Sequence, residues 1–479
     1  MNEPCDLSAL EARRLIGAKR LSPIELVDSC IARIEMVNPA VNAVVATCYE
    51  RARAEAREKT QALVRGDDLP PLHGLPVGIK DLQDTEALVT TYGSPLYKDH
   101  IPQKDELIVA RLRRAGAIVL GKTATPEFGA GGNTTMNAVH GFTGNAFDPA
   151  RACGGSSGGS GVALACSMMP LCTGSDSGGS LRKPATFSGV TAIRPTTGLV
   201  PSDKRTIGLT NLNVLGQMAR DAQDCALMLS VIAGFDAADP LSFNVQGANF
   251  RESPEVDLGR LKVAISVDFG WVPVDNGVRR IFAERLAAFQ SAFRLCETHD
   301  PGMASALDVF WILRGVVFLA SHGERYREHK DMLGPNIVAN MEAALEMSAA
   351  EIGWANREHV TLYRDFQTLF DRYDILITPG QPVVPTGVEQ RNITEINGQP
   401  MRNYMHASAL TSALTLTGNP CLAMPCGLDH TGMPFGLQIV GPMHGDSFIL
   451  SVARALEGVF AGDARLARPL PDLEKLRAK

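Results

Sequence analysis

The sequence predicts an α/β fold: a single large domain with a mixed central β-sheet covered by helices on both faces. Three observations predict it. Short β-branched runs alternate with helical patterns from residue 75 onward, residues 1–65 are helical in pattern, and no stretch of the 479-residue chain has the composition of a linker. Alternating strands and helices are typical of a parallel or mixed sheet with helices on its faces.

The N-terminal segment, about residues 1–65, is predicted to consist of helices. Asp6 or Ser8 can cap the first helix, which has leucines at helical spacing. Ser22 followed by Pro23 is typical of the start of a second helix, because the first helical position needs no N–H donor. Residues 50–65, rich in Glu, Arg and Ala, predict a solvent-exposed helix.

The later elements are predicted from hydrophobic pattern. β-branched runs indicate strands, and apolar residues at helical spacing indicate helices. The predicted strands are residues 77–79, 117–120, 263–265, 374–377 and 435–440, and the predicted helices include 105–115, 219–233 and 447–458. We expect one domain, 1–479, because the stretch richest in Gly and Ser, residues 153–180, contains the sharpest motif and is not a linker.

The segment from about residue 303 to residue 372 differs from the rest of the chain in composition. The pattern is helical and rich in Met, Phe and Trp, including Phe310, Trp311, Phe318 and Trp354. Two interpretations stay open: a buried helical face, or a helical substrate-pocket cover that lends apolar surface to a ligand.

Charge and hydropathy argue against several classes of protein. With 46 Lys+Arg and 52 Asp+Glu, the net charge is −6 and no block of basic residues occurs, so we expect no nucleic-acid partner. The first residues lack a secretory signal, which predicts a cytoplasmic protein. The most apolar stretch, 309–320, is too short to span a bilayer and is broken by Arg314, so no membrane partner is expected.

The ten cysteines are scattered, with no C-x-x-C pair and no histidine at zinc-like spacing beside them. They predict reduced, mostly buried thiols and no metal site.

Two motifs resemble nucleotide or hydrolase signatures without their context. Residues 116–123 fit G-x-x-x-x-G-K-[ST], but the middle residues Ala-Ile-Val-Leu are strand-like, whereas a phosphate loop is flexible and follows a strand. Residues 155–159 fit G-x-S-x-G, but the segment before them is turn-prone, whereas a nucleophile elbow follows an apolar strand. Neither ATP binding nor an elbow is predicted.

Two clusters of Gly and Ser, residues 154–161 and 174–180, lie on either side of an apolar stretch. A flexible loop would explain one such cluster. Two clusters are harder to explain in that way, because small residues let backbone approach a substrate closely and consecutive amides can form an anion-binding nest. The pattern favours a site that binds an oxyanion.

These motifs resemble those of the amidase signature family, and the resemblance covers most of the chain. It is carried by residues 74–81, 116–123, 154–161, 174–185, 419–427 and 436–441. It implies an amidase signature core at 74–200 and a serine hydrolase that cleaves a carboxylic amide C–N bond through an acyl-enzyme. The resemblance further implies a Ser-cisSer-Lys triad, with Ser180 as nucleophile, Ser156 as bridging serine and Lys80 as base.

The resemblance also implies roles around the second cluster. The backbone N–H groups of Ser177, Gly178 and Gly179 are expected to hold the carbonyl oxygen as it becomes an oxyanion. Asp176 and Arg182 are expected to support this loop without taking part in the chemistry.

Gly131 and Gly132 are expected to bind substrate, because they occupy the segment where the family presents backbone to it. An ordinary turn is the alternative interpretation of these two glycines.

The triad requires Lys80 to be neutral. Lysine in water titrates near 10.4, so burial would have to lower this pKa by about three units. The apolar strand at 75–79 would supply the surroundings. The alternative is a salt bridge between Lys80 and Asp81.

We therefore expect an amidase that needs no cofactor and no metal and acts on a small-molecule amide or ester. The apolar region at 303–372 favours an aryl amide, anilide, ester or carbamate, and a homodimer stays open. The alternative is the glutaminase (A) subunit of a tRNA-dependent amidotransferase complex. Against it, the chain has Leu-Arg-Lys-Pro at 181–184 and Asp-Leu-Gln-Asp at 81–84, where that subfamily typically has Ile-Arg-Gln-Pro and Asp-Asn-Ile.

Overall fold

The computed structural model describes residues 3–245, 248–251 and 254–477. Its strands are β1 (Val44–Thr47), β2 (Pro76–Lys80), β3 (Ile118–Thr123), β4 (Met136–Asn137), β5 (Gly141–Phe142), β6 (Leu171–Asp176), β7 (Thr191–Arg194), β8 (Val214–Ala219), β9 (Lys262–Ile265), β10 (Leu295–Thr298), β11 (Ile375–Pro379), β12 (Glu395–Ile396), β13 (Gln399–Pro400), β14 (Cys421–Leu428) and β15 (Pro434–Val440).

The α-helices are α1 (Ala9–Gly17), α2 (Pro23–Val41), α3 (Tyr49–Arg65), α4 (Leu107–Arg114), α5 (Gly158–Ala165), α6 (Arg182–Ser188), α7 (Ala222–Ile232), α8 (Ala248–Arg251), α9 (Asn276–Phe289), α10 (Ala306–His329), α11 (Pro335–Glu346), α12 (Ala349–Gln367), α13 (Ala409–Thr417) and α14 (Asp446–Ala461).

Eleven strands form one mixed sheet, in the spatial order β1-β3-β2-β6-β8-β7-β14-β15-β11-β9-β10. β2 runs parallel to both β3 and β6, and β9 runs parallel to both β10 and β11. The other neighbours in this sheet are antiparallel. The prediction of a single α/β domain with a mixed central sheet flanked by helices is confirmed.

The N-terminal helices begin where the capping residues predict. The Ser8 hydroxyl accepts a hydrogen bond from the Glu11 N–H, and Ser22 and Glu25 form a reciprocal capping box at the start of α2. The prediction of helices alone over 1–65 omitted one element, because Val44–Thr47 forms β1, an edge strand antiparallel to β3. A four-residue strand between two long helices gives too short an alternation to be recognised.

Residues 116–123, which fit the phosphate-loop pattern, form the turn into β3 and then β3 itself. Ile118–Thr123 is buried along its whole length between β1 and β2. Its backbone N–H groups belong to a sheet and cannot form a phosphate cradle.

The region 303–372 folds as α10, α11 and α12, as its pattern predicts. By length and composition alone, Ala306–Met332 could cross a membrane, with a mean hydropathy of 1.3 over its most apolar window. Half of that window is buried inside the protein, where α10 packs against α11, α12 and α13. These are also the properties of a core helix in a globular protein.

The ten cysteines are all unpaired; eight are buried, and Cys48 and Cys296 are half-buried. Within the described residues, no group of three or more His, Cys, Asp and Glu side chains is arranged to hold a metal ion.

Candidate active site

Lys80, the last residue of β2, places its amine against three serine hydroxyls. Its Nζ lies 2.7 Å from Ser156 Oγ, 2.8 Å from Ser157 Oγ and 2.9 Å from Ser175 Oγ. The side chain is fully buried. The Lys80 backbone N–H donates to Thr173 Oγ1 at 2.8 Å, which fixes the end of β2 against β6. The amine is thus surrounded by neutral hydroxyl groups.

Glycines allow the segments that carry these serines to approach each other. A Cβ on Gly174 would lie 2.4 Å from Leu181 Cδ2 and 3.0 Å from Ser157 Oγ. A Cβ on Gly159 would lie 2.2 Å from the Ala124 nitrogen. The peptide bond between Gly155 and Ser156 is cis. The density of Gly in both clusters therefore reflects contact between β6, α5 and the chain that follows β3.

Burial lowers the pKa of Lys80 to about 7, and the carboxylate of Asp176 opposes this shift. The alternative ion pair with Asp81 is not formed. Asp81 accepts hydrogen bonds from the Thr91 N–H at 3.2 Å and the Thr91 hydroxyl at 2.5 Å. The prediction of a buried lysine with a strongly lowered pKa agrees with this geometry.

Asp176 ends β6 and organises the loop that contains the second cluster. Its carboxylate accepts from Arg182 Nε at 3.1 Å and Nη2 at 3.0 Å, and from Arg194 Nη1 at 3.3 Å. It also accepts from the N–H groups of Gly179 at 2.8 Å and Leu181 at 3.2 Å. Although burial opposes it, this set of donors holds the pKa of Asp176 far below its usual range. The loop is thereby fixed at both ends.

The backbone N–H groups of this loop differ in whether they donate a hydrogen bond. The N–H of Gly179 is already donated to Asp176, whereas the N–H groups of Ser177 and Gly178 have no acceptor among the residues that the structure describes. The Ser180 hydroxyl likewise has no hydrogen-bond partner in the described part of the chain. The hydrogen bonds therefore join Lys80 to Ser156 but do not extend to Ser180.

Ser156 and Ser180 line one cavity of about 630 Å³, together with Ser175 and Ser177. Another part of its wall is aromatic and basic, and comes from the segments around Tyr97 and Phe128 and from α10. This part includes Tyr97, Phe128, Arg314, Phe318, His322 and Arg325.

Gly131 and Gly132 lie in the wall of a different cavity, of about 440 Å³. A Cβ on Gly132 would lie 2.2 Å from Asn392 Oδ1, and the Gly132 carbonyl accepts from Lys183 Nζ at 2.9 Å. The need for glycine at position 132 thus comes from packing inside the protein. The structure does not bring these two glycines into the lining of the cavity that holds Ser180.

Sequence reasoning missed two members of the site, Ser157 and Ser175. Each directly neighbours a residue that was predicted, since Ser157 follows Ser156 and Ser175 precedes Asp176. The parallel pairing of β2 with β6 is what brings Ser175 to the amine, and this pairing is not visible in sequence spacing. The basic residues of α10 were missed because they are distant in sequence from both clusters.

Comparison with known proteins finds similarity along most of the chain. The amidase family model matches residues 25–450. An acylamidase of Rhodococcus erythropolis is 31% identical over 455 residues, which cover 95% of both chains. The A subunit of the glutamyl-tRNA(Gln) amidotransferase of Geobacillus kaustophilus is 33% identical over 477 residues, covering 94% of this chain and 97% of that protein.

The structure of a bacterial aryl acylamidase of the amidase signature enzyme family superposes with a TM-score of 0.87 at 26% identity, covering 97% of this chain and 99% of that one. Fold, site and comparisons together define an enzyme that hydrolyses amide bonds, an amidohydrolase. The chain belongs to the amidase signature family.

Proposed function

We propose that this enzyme cleaves a small-molecule carboxylic amide through an acyl-enzyme, with Ser180 as nucleophile, Ser156 as bridging serine and Lys80 as base. The observation that carries the proposal is the buried Lys80 amine, 2.7 Å from Ser156 Oγ and with a pKa of about 7. At neutral pH such an amine is neutral in a large fraction of molecules and can accept a proton.

The three hydroxyls around Lys80 suit a neutral amine. A neutral amine donates two hydrogen bonds and accepts one. The Ser157 hydroxyl has the Ser175 carbonyl as an acceptor at 3.5 Å, so its oxygen is free to accept from Lys80. Ser156 then donates to the amine and accepts the proton of Ser180 during attack.

In the proposed reaction, Ser180 Oγ forms a bond to the carbonyl carbon while its proton passes to Ser156 and the proton of Ser156 passes to Lys80. The C–N bond then breaks as a proton returns along the same path to the leaving amine. Water repeats the sequence on the acyl-enzyme and releases the acid, which restores all three residues.

The oxyanion is assigned to the loop held by Asp176 and Arg182. Because the Gly179 N–H is engaged by Asp176, the support for this role is greatest for the N–H groups of Ser177 and Gly178. One such donor is typically worth about 3–4 kcal/mol in the transition state.

The aromatic wall of the Ser180 cavity supports an aryl amide, anilide, ester or carbamate as substrate. A substrate-binding role for Gly131 and Gly132 remains a prediction, and it would need a substrate that reaches the second cavity. A cytoplasmic location also remains a prediction, supported by the ten unpaired cysteines.

A second candidate function is that of the glutaminase (A) subunit of a tRNA-dependent amidotransferase complex. The corresponding protein of Geobacillus kaustophilus, 33% identical to this chain, favours it. Gel filtration of the pure chain together with an amide hydrolysis assay separates the two functions. A chain that is active without other proteins supports the stand-alone amidase, and a chain that is inert alone but active in a complex supports the second function.

The proposed triad is tested with Ser180→Ala and Lys80→Ala, which should each abolish hydrolysis in a panel of anilides, aryl esters and short aliphatic amides. Ser230→Ala on α7, where the hydroxyl only donates to the Leu227 carbonyl, is the matched control and should retain full activity. Mass spectrometry after fluorophosphonate treatment should place the label on Ser180. A label on another serine would contradict the assignment.

A further inference from the structure

The cavity that holds Ser180 contains two guanidinium groups with no carboxylate partner. Within the described residues, neither Arg314 nor Arg325 takes part in an ion pair. Arg314 is buried, and donates from Nε to Asn340 Oδ1 at 3.1 Å and from Nη2 to the Tyr404 hydroxyl at 2.7 Å. Its Nη1 has no hydrogen-bond partner among the described residues.

Arg325 lies on the same helix, three turns further along α10. It is half-buried, and donates from Nε to the Tyr97 hydroxyl at 2.9 Å and from Nη1 to the Ser321 carbonyl at 2.6 Å. Its guanidinium also lies 5.1 Å from the centre of the Phe128 ring. In the described part of the chain its Nη2 has no partner, so each arginine retains one terminal nitrogen for a ligand.

Three acidic residues, Asp84, Glu106 and Asp176, line the cavity. Asp84 pairs with Lys204, and Asp176 pairs with Arg182. Burial raises the pKa of the remaining one, Glu106, to about 7, so much of it is uncharged at neutral pH. Among the described residues, none of these three carboxylates forms an ion pair with Arg314 or Arg325.

The other charged groups that the structure describes near the cavity do not pair with Arg314 or Arg325 either. Arg205, which also lines the cavity, pairs with Asp239 at 2.8 Å. Glu324 and Glu328 neighbour Arg325 on α10, and neither forms an ion pair with it. Two positive charges are therefore left without a partner in the cavity wall.

An apolar wall lies beside the two arginines. The His322 ring is 4.9 Å from the Phe128 ring and 5.2 Å from the Phe318 ring, between centroids. Burial lowers the pKa of His322 to about 3, so the ring is neutral at physiological pH. The Arg314 guanidinium lies 4.5 Å from the Phe318 centroid. Cationic and aromatic surfaces are thus contiguous.

We propose that the substrate of this enzyme carries a carboxylate that Arg314 and Arg325 bind, beside an apolar or aryl portion that packs on Phe128, Phe318 and His322. The proposal rests on the proposed function, because it takes the cavity beside Ser180 as the substrate cavity. A buried guanidinium without a counter-charge is unfavourable, and a carboxylate supplies both the charge and acceptors for its planar donors.

The test uses two pairs of probes, each an acid and its uncharged carboxamide isostere. 4-Acetamidobenzoate and 4-acetamidobenzamide carry the group on the amine side, and glutaranilic acid and its terminal carboxamide carry it on the acyl side. Binding is measured by calorimetry with the Ser180→Ala chain, which needs no turnover. We expect the acid of at least one pair to bind roughly tenfold to a hundredfold more tightly than its isostere.

Arg314→Met and Arg325→Met, each in the Ser180→Ala chain, should bring this ratio close to one. Arg314→Lys should retain part of it, because the charge remains. Arg327→Met removes an exposed arginine of the same helix and should leave the ratio unchanged. If Arg314 only packed against Phe318 and Tyr404, its loss would weaken acid and isostere equally.

Equal binding of acid and isostere in both pairs, or a ratio that survives both methionine substitutions, would overturn the proposal. Arg325→Met keeps the test valid should Arg314→Met fail to fold, because Arg325 is only half-buried. Hydrolysis of the same four probes by the unmodified chain tests the proposed function separately.

Discussion

Lys80 and Lys122 lie on the neighbouring strands β2 and β3 and are both fully buried, yet their partners differ. The partners of Lys80 are three hydroxyls, each able to donate or accept. Lys122 donates to the Gln83 carbonyl and, at 3.0 Å, to the Thr85 hydroxyl. Burial lowers the pKa of Lys80 to about 7 and that of Lys122 to about 8, and Asp81 opposes the shift at Lys122.

The difference lies in what the partners of each amine can do, since both lysines are equally buried. A carbonyl oxygen can only accept, so it holds the Lys122 amine as a donor and favours its charged form. A hydroxyl can reverse its role when a proton moves. The hydroxyl beside Lys122, that of Thr85, already donates to the Gln83 carbonyl at 3.2 Å. In the proposed function, Ser156 is the hydroxyl that delivers a proton to the Lys80 amine and takes one from Ser180.

The largest expected effect separates the two lysines by activity. Lys80→Met should lower kcat/KM at least a thousandfold, because triad members act as a unit. Lys122→Met should keep activity within about tenfold of the unmodified enzyme. Its free energy of unfolding should change by no more than about 2 kcal/mol, because relief of the buried charge offsets the hydrogen bonds that the Gln83 carbonyl and the Thr85 hydroxyl lose. Steady-state kinetics and denaturant unfolding of both variants measure these effects.

Equal losses of activity in the two variants, with both folded, would break the comparison. Circular dichroism of each variant provides the necessary control for folding. Residual activity of Lys80→Met near that of the parent would remove Lys80 from the mechanism and leave the pair as two structural lysines.

The next effect concerns stability and pH. Lys80 titrates near 7 in the folded state and near 10.4 unfolded, so the unfolded state binds more protons between these values and stability rises with pH there. Below pH 7 the cost of burying the charge is fully present, about 5 kcal/mol. Lys80→Met removes this cost but leaves three serines without their partner.

We therefore expect Lys80→Met to raise the free energy of unfolding by about 1–3 kcal/mol at pH 7, with the gain fading toward pH 10. Urea unfolding of parent and variant across this range gives the difference, in which the contributions of all other titrating groups cancel. A variant less stable than the parent at pH 7 would show that the hydroxyl contacts outweigh the buried charge.

The sequence predicted some strands well and others not at all, for a physical reason. β2, β3, β9, β11 and β15 contain β-branched runs. β6 and β14 are equally central but contain polar and small residues, Gly174 and Ser175 in one and Pro425 and Gly427 in the other. Their strand state comes from pairing with neighbours, which local propensity does not encode.

The site shows the same division. The residues of the proposed triad lie in motifs with unusual composition, so a resemblance between motifs was enough to select them. Arg314 lies on a helix whose composition only indicates burial, and its place in the lining of the Ser180 cavity depends on how α10 packs against α11, α12 and α13. Contacts between segments far apart in sequence are what the sequence alone could not supply.

The smallest expected effect comes from removing a single hydrogen-bond acceptor from each of the two lysines. Lys80 must be neutral to accept a proton, so kcat/KM should fall as pH drops below about 7. Ser157→Ala removes an acceptor 2.8 Å from the Lys80 amine, and Thr85→Ala removes one 3.0 Å from that of Lys122. The pH dependence of kcat/KM is measured for both variants and compared with that of the unmodified enzyme.

A charged amine loses more than a neutral one when an acceptor is removed, so Ser157→Ala should shift the acid limb of the profile downward by about half a pH unit to one unit. Thr85→Ala should leave that limb in place, since Lys122 has no part in the proton transfer. If both variants moved it equally, the titration would belong to the shared interior of β2 and β3 and not to Lys80. A shift confined to Ser157→Ala would assign the titration to one amine.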